Sequence, residues 1–107
     1  MPVTTLTASE LQSRLVQGED LFLLDVREPY EYEYASIPGS ILIPLHQIPS
    51  RLGELDPARN IVVICHHGIR SLQAANYLAY SGFMNVANLA GGIDAWSLNC
   101  DNSVPRY

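Results

Sequence analysis

The run Cys65-His66-His67-Gly68-Ile69-Arg70-Ser71 holds the densest chemistry in the chain. A cysteine acts as a nucleophile through its thiolate, which cations, hydrogen-bond donors or a helix N-terminus favour. All three are expected here. The apolar run Ile61–Ile64 reads as a strand buried on both faces, and a helix is expected to begin at Arg70 or Ser71. The residues between them then form a strand-to-helix turn at the carboxyl end of a parallel strand, where open α/β sheets hold their ligands. Gly68 permits the positive φ of a tight turn. The amides of His66, His67, Gly68, Ile69, Arg70 and Ser71 can then converge as an anion nest. Arg70 places a permanent charge at the far lip, and His66 and His67 add charge when protonated. Such donors are expected to favour the thiolate of Cys65 over its thiol, to bind a small oxyanion and to stabilise a negatively charged persulfide. The competing role for Cys65, a small hydrophobe closing the strand, leaves the two histidines and the arginine beside it without a reason.

The elements that must position this turn are legible as apolar runs and helix punctuation. Thr7-Ala8-Ser9-Glu10 has the form of a capping box, so a helix is expected over 8–17, after a short strand at 3–6. Leu21–Val26 and Ile41–Ile43 read as buried strands like Ile61–Ile64, and Val86–Leu89 reads as a weaker one. Pro49–Leu52 reads as a short helix ended by Gly53. Ser71–Ser81 is the best helix, with an apolar stripe of Leu72, Ala75, Leu78 and Ala79 and Gly82 as its stop. Ile93–Leu98 is a short last helix, and residues 99–107 are expected to lie as a surface tail. Tyr30-Glu31-Tyr32-Glu33-Tyr34 alternates like a strand, but Pro29 suits the first position of a helix, which is the preferred reading. Strands alternating with helices imply a parallel sheet covered on both faces.

With 107 residues the chain has room for one domain, expected to span 1–107. Hydrophobic residues are 48% and charged residues 16%, which suits a packed core rather than a disordered chain. The net charge is −5, all six cations are arginines, and no basic run exists. Nucleic-acid and anionic-membrane surfaces are therefore excluded as partners. Cys65 and Cys100 have no zinc spacing and are too few for a secreted disulfide framework. No signal-length or membrane-length apolar run is present. A cytoplasmic monomer without metal or cofactor is expected.

Four segments together resemble the rhodanese family over nearly the whole chain. They are Leu24-Asp25-Val26-Arg27 with Glu31, Ile37-Pro38-Gly39-Ser40 followed by Ile43-Pro44, Cys65-x-x-Gly68-x-Arg70-Ser71, and Leu89-x-Gly91-Gly92-x-x-Ala95-Trp96. The resemblance implies a rhodanese-like three-layer α/β/α fold with a five-stranded parallel sheet. It also implies a sulfurtransferase of thiosulfate sulfurtransferase type, with a persulfide on Cys65 as intermediate, a small sulfur donor, and a thiol or cyanide acceptor. A sulfur-relay protein is a further possible partner. Many relatives carry a basic residue directly after the cysteine, where this chain has His66, followed by His67. The loop's charge should therefore depend on pH, and persulfide formation is expected to quicken below about pH 6.5.

Two other readings compete. A persulfide carrier or sensing module would use the same loop on a protein partner. A phosphatase or arsenate reductase on the same fold needs five residues between cysteine and arginine, and here only four intervene. Asp25 and Arg27 either line the pocket or form a buried ion pair that supports it; support is the stronger reading. Arg27 and Glu31 could also pair at helical spacing. His46 reads as a surface residue, Trp96 as a core anchor, and Cys100 as a bystander.

Overall fold

The computed structural model describes residues 3–107. Five parallel strands form one sheet in the order β1-β5-β4-β2-β3, with β1 Thr4–Leu6, β2 Phe22–Asp25, β3 Ile41–Leu42, β4 Ile61–Ile64 and β5 Val86–Leu89. The helices are α1 Ala8–Val16, α2 Pro29–Tyr34, α3 Ile48–Arg51, α4 Ile69–Tyr80 and α5 Gly92–Asn99. Every β4 and β5 residue is buried, as the apolar runs predict, whereas β3 departs from its reading as a strand buried on both faces: Ile41 is exposed and Leu42 half-buried, because β3 is the edge of the sheet.

Alternation along the strands sorts the core into two layers. Val62 and Ile64 of β4 face a cluster with Leu11 of α1 and Ile93 and Trp96 of α5. Ile61, Val63 and Cys65 face the other cluster, with Ile48 of α3 and Ala74, Ala75 and Leu78 of α4. Cys65 therefore continues the pleat of β4 onto the α4 side. The α4 stripe differs from the expected one. Ser71 and Ala74 are buried and Leu72 is exposed, because the face turned to the sheet brings Ser71 to Cys65 and Asn88, and the helix starts at Ile69, just before the expected Arg70 or Ser71.

The Tyr30–Tyr34 segment is helical despite its period-two pattern. Pro29 sits at the first helical position, and the Glu28 amide donates to Glu31 Oε1 at 3.0 Å. The alternation carries no burial signal, since Tyr30 and Tyr34 are exposed and Glu31 is the buried residue.

The tail beyond α5 does more than lie on the surface. Val104 is buried in the α1–α5 core cluster and its carbonyl accepts from Ser97 Oγ at 2.5 Å. That anchor turns the chain back over the Cys65 loop, where Tyr107 docks. Among the described residues, no helix is long and apolar enough to cross a membrane.

Candidate active site

Cys65 stands one residue past β4 and is only 1% exposed. Its Sγ accepts from the Gly68 amide at 3.1 Å and lies 3.2 Å from Ser71 Oγ, to which the thiol can donate. Gly68 can turn its amide inward because it is the N-cap of α4 with φ of +104°. A side chain there would be strained, and its Cβ would press on Leu89 O and Gly91 N at 3.3 Å.

A residue without any signature closes the arrangement. Asn88, the polar member of the otherwise apolar β5, accepts from Ser71 Oγ at 2.5 Å through Oδ1 and donates from Nδ2 to Gly68 O at 3.1 Å. It ties both groups that contact the sulfur to the neighbouring strand. The signal was available in the sequence, as one amide in a buried run, because a buried amide needs partners.

The glycine pair also has a defined task. Ile93 N donates to Cys65 O at 2.9 Å and Asp94 N to His66 O at 3.2 Å, so the first amides of α5 hold the loop's carbonyls. A Cβ on Gly92 would overlap the carbonyl oxygens of Cys65 and His66, and its φ is +60°. Gly92→Ala is expected to cost on the order of 3 kcal/mol, from left-handed strain and two weakened hydrogen bonds. Chemical denaturation measures the loss, and a faster reaction of Cys65 with a thiol reagent reports the loosened loop.

Arg70 does not stand free at the lip. Its Nη1 and Nη2 donate to Glu31 Oε1 and Oε2 at 2.7 and 2.9 Å. The expected Arg27–Glu31 pair is replaced by this one, and Arg27 reaches only the Glu31 backbone carbonyl. The Arg70 fork holds the Glu31 carboxyl down at about 2 and pushes its own guanidinium further up. The stabilisation that follows from a lowered carboxyl is complete above about pH 4.5 and is lost as pH falls through about 2. Glu31→Gln should therefore destabilise the protein by about 2 kcal/mol at neutral pH, a value discounted for the 36% exposure of the Arg70 side chain. The stabilities of the two proteins should approach each other as pH falls through about 4.5 and converge only at about pH 2 and below.

His66 and His67 stack on each other, with centroids 3.9 Å apart. The other face of His66 lies on Tyr107, at 3.8 Å and 8°. Burial first, and the neighbouring His67 second, lower the His66 pKa. Its charge therefore develops below the range of a free imidazole, and any acid acceleration that depends on it moves below the expected pH. His66, His67 and Asp94 are a three-residue cluster with ligand-type atoms within 4.8 Å of one another. Their other engagements are the ring stack and the Asp94 pair with Arg106 at 2.9 Å.

Asp25 and Arg27 are fully buried and lie in the support, away from the sulfur. Arg27 Nε and Nη2 donate to the two Asp25 oxygens, and the guanidinium also donates to Glu31 O, Ala35 O and Tyr107 Oη. Tyr107 Oη in turn donates to Glu31 Oε2 at 2.8 Å, and burial raises its pKa to about 12. One network thus runs from Asp25 through Arg27, Tyr107 and Glu31 to Arg70. Cys100 packs with the α1–α5 cluster, across the sheet from Cys65.

A groove of about 550 Å³ opens beside the loop. Val26, Ile48 and Ala74 of its wall belong to the apolar cluster around Cys65, and Arg70 and exposed His46 reach its rim.

The fold and this loop define a class, and comparisons with known proteins agree on it. The model of the rhodanese-like domain matches residues 7–99. The chain is 40% identical to a protein of Allochromatium vinosum named a sulfurtransferase, covering 89% of each. It is 42% identical to a chloroplastic rhodanese-like/PpiC domain-containing protein of Arabidopsis thaliana, covering 99% of this chain but only 38% of that protein. The crystal structure of a rhodanese-like domain protein from Staphylococcus aureus superposes with a TM-score of 0.85 at 28% identity, covering 98% of this chain and 99% of that one. The chain belongs to the rhodanese-like family.

Proposed function

We propose that this protein is a sulfurtransferase that moves sulfane sulfur from a donor such as thiosulfate to a thiol or cyanide acceptor through a persulfide on Cys65. The observation that carries the reading is the Gly68 amide aimed at Cys65 Sγ from 3.1 Å, inside a loop that spans only four residues from Cys65 to Arg70. An amide on the sulfur stabilises a thiolate, and it stabilises the terminal charge of a persulfide in the same way.

In the first step the Cys65 thiolate attacks the sulfane sulfur of thiosulfate. The bond between that sulfur and the sulfonate sulfur breaks, and sulfite leaves with the electron pair. In the second step the acceptor thiolate attacks the outer sulfur of the Cys65 persulfide. It leaves as a persulfide, and Cys65 becomes a thiolate again. No electrons are gained or lost overall, and one difficult transfer is divided into two. Cys65 is 1% exposed, and the groove beside Arg70, whose wall joins the apolar cluster around Cys65, is the approach this reading assigns to donor and acceptor. Asp25 and Arg27 act as support, holding the β2 end and the Tyr107 network that carries Glu31 and Arg70.

The carrier reading has one observation in its favour. The Arg70 charge is matched by Glu31, which weakens the loop's pull on a free dianion, whereas a persulfide keeps the Gly68 amide that bonds the sulfur directly. The phosphatase reading has none, since the loop lacks the residue that would let amides surround a tetrahedral anion.

Intact-protein mass spectrometry after exposure to thiosulfate tests the proposal. One added sulfur with one sulfite released per chain is the expected result, followed by loss of that sulfur to a thiol or cyanide at catalytic turnover. Loading that turns over only with a protein acceptor would select the carrier reading. A robust aryl-phosphatase rate without loading would overturn both.

A further inference from the structure

The charge of this chain is unevenly placed. Each of the six arginines is paired with a carboxylate, namely Arg14 with Glu19, Arg27 with Asp25, Arg51 with Glu54, Arg59 with Asp20, Arg70 with Glu31 and Arg106 with Asp94. The net charge of −5 therefore rests on the five remaining carboxylates, Glu10, Glu28, Glu33, Asp56 and Asp101. Glu10, Asp56 and Asp101 accept hydrogen bonds from nearby backbone amides in local turns and caps. Glu28 and Glu33 are the N-cap and the fifth residue of α2. Glu33 is exposed, with no hydrogen bond or ion pair among the described residues.

The same helix exposes aromatic surface. Tyr30 is 73% exposed and Tyr34 58%, and with Tyr107 (43%) they wall a shallow recess of about 340 Å³ with Glu31 at its base. The Tyr34 and Tyr107 rings stand at 81° with centroids 5.9 Å apart, so they form two walls instead of a flat patch. Ring faces carry negative quadrupole density, and carboxylates around them add to it. Arg27 lies over Tyr107, 5.8 Å from its ring centroid, and Arg70 holds Glu31, so the cation-attracting surface left open is that of exposed Tyr30 and Tyr34 on the helix that also carries Glu28 and Glu33.

The recess also has a fixed position relative to the sulfur. Tyr107 stacks on His66, the residue next to Cys65, and Glu31 of α2 grips Arg70 at the far end of the same loop. We propose that α2 and Tyr107 form the docking ledge for the protein that exchanges sulfur with Cys65, and that this partner presents a lysine or arginine side chain to the tyrosine recess beside its reacting thiol. This rests on the reading of Cys65 as the sulfur-carrying residue. Steering by opposite charge raises encounter rates and is screened by salt.

The test uses two synthetic acceptor peptides of equal length, each with one cysteine, flanked in one by arginines and in the other by glutamates. Cys65 is first loaded with thiosulfate, the excess is removed, and the loss of the extra sulfur is followed by mass spectrometry. At about 50 mM salt the arginine peptide should react roughly tenfold faster, and at about 0.5 M the ratio should fall below about threefold. The same fall is expected at low salt in Tyr30→Ser/Glu33→Gln, with thiosulfate loading unchanged. Asp56→Asn removes one charge before β4, at the amino-terminal end of the sheet and so opposite the Cys65 loop, and should keep the tenfold preference. Equal rates for the two peptides would overturn the docking ledge. So would a preference that survives in Tyr30→Ser/Glu33→Gln, or one lost equally in Asp56→Asn. Failure of the wild-type protein to load sulfur at all would instead remove the reading of Cys65, and the ledge with it.

Discussion

Cys65→Ser protein exposed to thiosulfate is expected to gain no sulfur and to release sulfite at a rate reduced by on the order of 10⁴-fold or more. The reason is local. The serine hydroxyl would sit within reach of the Gly68 amide and Ser71 Oγ, but neither of these two contacts is a base that could take its proton. A thiol needs no such base, because its thiolate is accessible near neutral pH and the amide stabilises it. Cys100→Ser is the matched control and should load normally. Burial, then Asp101, push the Cys100 thiol up, and it packs on the other face of the sheet. The measurement is intact mass with parallel sulfite detection. Loading of Cys65→Ser at the wild-type level would remove the proposed mechanism.

Arg27→Met is expected to produce the largest loss of stability of any change discussed. It leaves the Asp25 carboxylate fully buried without its partner, and it strips donors from Ala35 O and Tyr107 Oη. Breaking a buried pair from one side typically costs about 3–5 kcal/mol. For a domain of this size that lowers the melting temperature by roughly 12 °C or more. The double change Asp25→Leu/Arg27→Met should recover part of the loss, because an apolar pair leaves no buried charge behind. Urea denaturation of the three proteins decides it, and a loss under about 1 kcal/mol for Arg27→Met would show that Asp25 is not held as a buried charge. Thiosulfate loading in the surviving folded fraction should be largely retained, since neither residue touches the sulfur.

How much was legible depends on whether the determining interaction is local. The β4 run, the Gly68 turn and the α4 start occupy one contiguous stretch, so residue type and spacing were enough to place a cysteine on a strand-to-helix turn. The α2 segment was harder, because alternation of tyrosine and glutamate mimics a strand pattern while the burial that would settle it comes from Glu31, a residue type that is rarely inside. Asn88 was missed because β5 lies beside the loop only once the sheet is assembled.

The sequence by itself determined the order of strands and helices, the parallel sheet they imply, and the reactive cysteine at the carboxyl end of β4. The physical reason is that periodicity, caps and turn glycines act within a few residues. Only the tertiary structure decided the electrical state of the site. Glu31, 39 positions from Arg70 in the chain, neutralises the arginine that spacing presents as free, the tail from Val104 to Tyr107 stacks Tyr107 on His66, and burial, then the neighbouring His67, lower the His66 pKa. Those contacts depend on which surfaces meet after folding, which no local pattern encodes.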